Sequence, residues 1–187
     1  MTVTSQKTDK YSAFVNYLFA QCERDKGFAA RLRRADNPAM EYQSWEALAK
    51  FSVNLDLPSE RLPHALIGAA VVKSRASANG SVSLGQAITL AFEDGANSDQ
   101  ANARLRRLLA CHDVEETCRI LRPLITLIQS RVSAPLDYTA LLKDLVWFNR
   151  DPQRTKARWA QQFYRSGSNE HEREAEINDA LCQCITP

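Results

Sequence analysis

At 187 residues, with 44% apolar and 25% charged residues and a formal net charge of +2, the chain has the composition of a globular protein with one core or two small lobes. No apolar run approaches the roughly 18 residues of a membrane span, and Met1–Lys10 has no apolar stretch of the kind a secretory signal carries. Five scattered cysteines, mostly on apolar helical faces, fit a reducing cytoplasm rather than a disulfide framework.

Nearly every segment has helical periodicity. After a disordered stretch over 1–8, Asp9 or Ser12 can cap a helix carrying Tyr11, Phe14, Val15, Leu18 and Phe19 on one stripe. A break at Asp25–Gly27 leads into a helix over Phe28–Ala35, which Pro38 ends. A third helix, about Glu41–Phe51, is expected to bury Trp45 and Leu48. Pro58 and Pro63 bracket a loop, with Pro63 in the first turn of a helix through Leu66, Ile67, Ala70 and Val71. Ser74–Ser83 is a small-residue loop, and Ser83 caps a short helix over Leu84–Phe92.

Glu93–Asp99 is the clearest break and sets a boundary between an N-terminal lobe, 9–95, and a C-terminal lobe, 96–165. The second lobe opens with a helix from Ser98 to Cys111. Asp113 caps the next, Val114 to about Val132, which Pro123 should kink or divide. Asp137 opens a helix with Leu141, Leu142, Leu145, Val146 and Phe148 inside. Asp151–Pro152 starts the last, with Trp159 and Phe163 buried and Arg154, Arg158 and Arg165 exposed. Residues 166–187 form an acidic tail. No segment reads as a strand, so the expected fold is all-α, two small packed helical bundles without a sheet.

Charge is unevenly spread. Residues 1–165 hold 23 Lys+Arg against 17 Asp+Glu, while the last 22 hold one Arg and five acids. The body's arginines are grouped: Arg31, Arg33 and Arg34; Arg104, Arg106 and Arg107; Arg119 and Arg122; Arg150, Arg154 and Arg158. Guanidinium groups in rows on helices suit a phosphate backbone, because each neutralised phosphate releases counterions. Solvated helical faces are the plainer reading of any one group.

Chemistry of other kinds finds little support. Cys182 and Cys184 near His171, and Cys111-His112 before Cys118, do not complete a four-ligand zinc spacing. His64, His112 and His171 are expected as surface or capping histidines, outside any nucleophile–base arrangement. Gly80-Ser-Val-Ser-Leu-Gly85 lacks the Lys-Ser/Thr and the strand of a phosphate loop. No enzyme, metal site or cofactor is expected. Trp45, Trp147 and Trp159 all fall on core stripes, so base stacking is not expected either.

Leu32-Arg-Arg-Ala35, Ser83-Leu-Gly-Gln-Ala87, Arg104–Leu109, Ile120-Leu-Arg122, Leu136-Asp137 through Trp147-Phe148, and Trp159–Phe163 occur in this order across residues 12–165. Together they resemble the small subunit (CasB-type) of Cascade, the type I-E CRISPR surveillance complex. The resemblance implies a non-catalytic, cytoplasmic protein present in two copies, which meets the backbone and large subunits of the complex. It also implies contact with crRNA-paired target DNA and the displaced strand, without sequence preference. On that resemblance the DNA-contacting residues are Arg33, Arg34, Arg61, Arg104, Arg107, Arg122, Arg150, Arg154 and Arg158. Pro123 stands where members can carry a second basic residue. The alternatives are a helical protein–protein adaptor and a stand-alone DNA-binding regulator.

Overall fold

The computed structural model describes residues 9–74 and 76–166. The expected disordered N-terminus over 1–8 and all but the first residue of the acidic tail, with His171, Cys182 and Cys184, lie outside the described residues. The helices are α1 (Lys10–Arg24), α2 (Lys26–Arg34), α3 (Trp45–Lys50), α4 (Pro58–Lys73), α5 (Leu84–Leu90), α6 (Asp99–Leu109), α7 (Val114–Arg131), α8 (Tyr138–Trp147) and α9 (152–166). Two 3-10 turns, Pro38–Ser44 and Gly95–Asn97, precede α3 and α6. Among the described residues there is no strand, only an isolated bridge between Val82 and Leu136.

The centre of the fold is α4, where every residue from Pro63 to Val72 is buried. It packs against α1, α2 and α3 and equally against α7 and α8, while α5 and α6 lie against α7. One continuous cluster of buried side chains therefore runs across the Glu93–Asp99 break. The stripe Tyr11, Phe14, Val15, Leu18 and Phe19 is buried in α1 as its spacing dictates, and Trp159 and Phe163 are fully buried in α9.

Polar side chains set the helix starts. Asp25, Ser98, Asp113 and Asp137 each accept a backbone N–H at the cap of α2, α6, α7 and α8. Asp151 does the same for α9, accepting from Arg154 N at 3.0 Å. Each such cap contributes about 1 kcal/mol. Asp9 stands at the cap of α1 but makes no capping bond, and its carboxylate pairs with Lys143 of α8 instead. Ser83 likewise makes no side-chain bond at the cap of α5.

Several expectations are corrected. The segment after Pro38 is a 3-10 turn before it is a helix, and Ser44 Oγ donates to Glu41 O at 2.7 Å inside it. Ala47 and Leu48 then face inward and leave Trp45 40% exposed, since at about 100° per residue it sits roughly 110° from their midline. Trp147 is also outside, 47% exposed, because Leu145 and Phe148 define the buried face of that turn. α4 begins at Pro58, not Pro63, so Pro63 lies within the helix at the cost of one backbone bond. α7 likewise continues through Pro123 undivided. His64 is buried rather than superficial: its Nδ1–H donates to Glu60 O at 2.6 Å and its ring meets Phe14 edge-on at 5.0 Å. Burial lowers its pKa from the usual histidine range.

Two glycines mark close approaches between segments. At Gly80 a Cβ would fall 1.8 Å from Pro135 O, where the loop before α5 crosses the loop before α8. There Gly80 N donates to Leu136 O at 3.0 Å, and Asp137 N to Val82 O at 2.9 Å. At Gly85 a Cβ would lie 2.4 Å from Trp159 O and 2.6 Å from Phe163 N, so α5 touches the backbone of α9.

Candidate nucleic-acid interface

The nine arginines singled out from the sequence divide into three sets. Arg61 and Arg122 are held inside the fold. Arg61 Nε donates to Glu41 Oε1 at 2.6 Å and its Nη1 to Leu55 O at 2.6 Å, tying α4 to the turn before α3. Arg122 Nε lies 3.2 Å from Asp36 Oδ1, in line for charge but out of line for a hydrogen bond. Lys73 donates to the other oxygen of the same carboxylate, so Asp36 joins the ends of α2 and α4 to the middle of α7. The three side chains are less than a third exposed. Each of the two arginines thus has a carboxylate partner within the fold.

The second set faces water. Arg33 and Arg34 project from the last turn of α2, and Arg104 and Arg107 from α6, where Arg106 is exposed as well. None of the five has a carboxylate partner among the described residues.

The remaining three meet around a single hollow of about 580 Å³ between α1, α8 and α9. Lys143, Trp147, Arg150, Arg154 and Arg158 line it, with Asp144 at its base. The Arg150 guanidinium lies over the Trp147 ring, 4.9 Å from its centroid, a cation–π contact. Arg158 pairs with Asp144, which also accepts from the Trp159 indole N–H at 2.8 Å. Asp144 is buried, and desolvation pushes its pKa up, with Arg158 and the indole opposing. The pair fixes α9 onto α8 and leaves Arg158 half in solvent.

Sequence reasoning missed Trp147 and Lys143. The partial signal was Lys143 and Trp147, four apart on α8, and Arg154 and Arg158, four apart on α9, with Arg150 in the turn between the two helices. Among the described residues no group of three or more His, Cys, Asp or Glu side chains could hold a metal ion. Cys111 and Cys118 are buried and unpaired, and burial raises the pKa of both thiols. Among the same residues no helix is long and apolar enough to cross a membrane.

Fold and surface together define an all-helical protein distinguished by outward-facing guanidinium groups. Comparison with known proteins places it further. The family model described as CRISPR-associated protein Cse2 matches residues 29–164, and the chain belongs to that family. Its fold is similar to the crystal structure of CasB from M. ruber, with a TM-score of 0.71 at 23% identity over 89% of this chain and 98% of that one. It is similar as well to a chain of a CRISPR RNA-guided surveillance complex, with a TM-score of 0.67 at 21% identity over 88% and 97%. CasB from Thermobifida fusca follows, with a TM-score of 0.62 at 17% identity over 84% and 99%. No curated protein sequence matches the chain significantly. The resemblance to CasB-type small subunits is thus borne out.

Proposed function

We propose that this chain is a non-catalytic subunit of a type I-E Cascade surveillance complex, holding DNA through its phosphates and stabilising the R-loop and the displaced strand. Family membership supports the assembly. The observation that carries the DNA reading is the set of exposed arginines without carboxylate partners: Arg33 and Arg34, Arg104 and Arg107, and Arg150 and Arg154. In a guide-directed complex RNA pairing supplies sequence specificity, and exchanging DNA pairing for RNA–DNA pairing is nearly balanced, so a few backbone contacts tip it. Its partners are the other subunits, a second copy of itself and the two DNA strands. Arg61 and Arg122 serve this function through the fold.

The test is DNA binding across a salt series, with wild type beside a variant carrying Arg33, Arg34, Arg104 and Arg107 as Ala. For every phosphate that the variant no longer neutralises, the log–log salt slope should flatten by about 0.9 on duplex or 0.7 on single strands. An unchanged slope in the folded variant would refute the backbone role of α2 and α6. A helical adaptor is the second reading, favoured by Tyr42, Trp45 and Leu57, all at least 40% exposed around α3 and the start of α4. On that reading charge reversal at Arg104 and Arg107 blocks assembly rather than DNA binding.

A further inference from the structure

We propose that the hollow between α1, α8 and α9 is a nucleotide subsite for single-stranded nucleic acid, in which an unpaired base stacks on the Trp147–Arg150 pair. The proposal rests on the nucleic-acid reading above and names the form of ligand this part of the surface takes.

An indole nearly half in water is unfavourable unless something covers it, because Trp presents a large apolar area. Here the Arg150 guanidinium covers one face of the ring, and the exposed remainder of the indole–guanidinium pair is a surface on which a base can stack. The hollow beside it, about 580 Å³, is within the size range of small-ligand sites.

The charges around it favour an anion. Asp144 is paired with Arg158 and Asp9 with Lys143, while Asp151 caps α9 through the Arg154 N–H and keeps its charge; Lys143, Arg150, Arg154 and Arg158 still outnumber these three carboxylates. Arg150 and Arg154, by contrast, have no carboxylate partner among the described residues. An exposed indole–guanidinium surface in a hollow that also holds Arg154 matches a base and its adjoining phosphates. Stacking of this kind needs a base free of its duplex partner, so a single strand is the occupant and duplex DNA is not.

The first experiment compares single strands that differ only in bases: oligo(dT) and an abasic strand of equal length, with wild-type protein at about 50 mM salt, where backbone contacts are strong. The proposal expects oligo(dT) to bind about 5–100-fold more tightly. Equal affinity for the two strands overturns it. Trp147→Ala should remove that preference, and Trp147→Phe should keep most of it, with duplex affinity changed less than twofold in both. In a Trp45→Phe background Trp147 is the exposed indole and Trp159 is fully buried, so oligo(dT) should quench the fluorescence and the abasic strand should not. Quenching by neither overturns the subsite. Salt-dependent binding of both strands without base preference would defeat this proposal alone, whereas absence of salt-dependent binding to single strands and duplex would defeat the backbone reading as well.

Discussion

Gly85→Ala is expected to loosen α9 from the rest of the fold. The added Cβ would lie 2.4 Å from Trp159 O and 2.6 Å from both Gln162 Cβ and Phe163 N, where ordinary contact begins near 3.4 Å. Two of these neighbours are backbone, so no side-chain rotation relieves the clash and α9 must move outward by about 1 Å, a gap that forfeits a quarter to a half of the dispersion energy between facing atoms. Trp159 and Phe163, both fully buried, are the anchors of α9. Together they remove roughly 300–500 Å² from water, worth about 8–12 kcal/mol. Losing a quarter of that is about 2–3 kcal/mol, at the upper end of measured overpacking costs. For a chain of this size the melting temperature should fall by about 4–12 °C. Calorimetry or urea unfolding reads the loss, and single-strand binding should weaken alongside, since α9 carries Arg154 and Arg158. Gly68→Ala in α4 is the control: its Cβ would meet only Leu32 Cδ2 at 3.5 Å, and helix propensity alone should stabilise by up to about 1 kcal/mol. Equal stability of the two variants, within 0.5 kcal/mol or so, would refute the account of how α5 meets α9.

Asp36→Asn removes the carboxylate shared by Lys73 and Arg122, leaving two partly buried cations uncompensated; a loss of about 1–3 kcal/mol is expected in urea unfolding, with the salt slope of DNA binding unchanged. Because burial depresses the His64 pKa, its contribution to stability is fully present above about pH 6.5, the ordinary value, and is lost as pH falls from there through the lowered folded value. His64→Gln should flatten that acid limb, and an identical limb in both proteins would contradict the assignment. The Cys22 thiol is pushed up to about 11 and that of Cys118 to about 12, both by burial. In a Cys182→Ser, Cys184→Ser variant a thiol reagent at about pH 8 should therefore react slowly until urea exposes all three remaining cysteines; immediate reaction in the native state would count against that burial.

Helix positions were legible in the sequence wherever local chemistry decides them. The stripe of α1, the caps Asp113 and Asp137, and the helix starts at Ser98 and Asp151–Pro152 all appear where spacing places them, to within a residue. Rotational phase was less legible. A 3-10 turn ahead of α3 resets which face is inside, and the last turn of α8 puts Trp147 just off the buried arc. The arginine groups were visible, but a sequence shows a guanidinium without its partner. Arg61 finds Glu41 twenty residues back, and Arg122 finds Asp36 across the fold. Only tertiary packing separates those two from Arg150 and Arg154, which look the same in the chain.

The burial of α4 on all sides also has a consequence during synthesis. Its covering partners α1–α3 precede it in the chain, but α7 and α8 follow it by as many as about seventy residues. At about 5–20 residues per second the ribosome needs roughly 4–15 s to deliver them. For that interval half of an apolar helix has no native surface to meet, and a nascent chain stalled before α7 presents Leu66, Ile67 and their neighbours to chaperones or to other chains. Rare codons placed ahead of residue 114 would lengthen the exposure, and the yield of soluble protein should register it more than the stability of the finished fold.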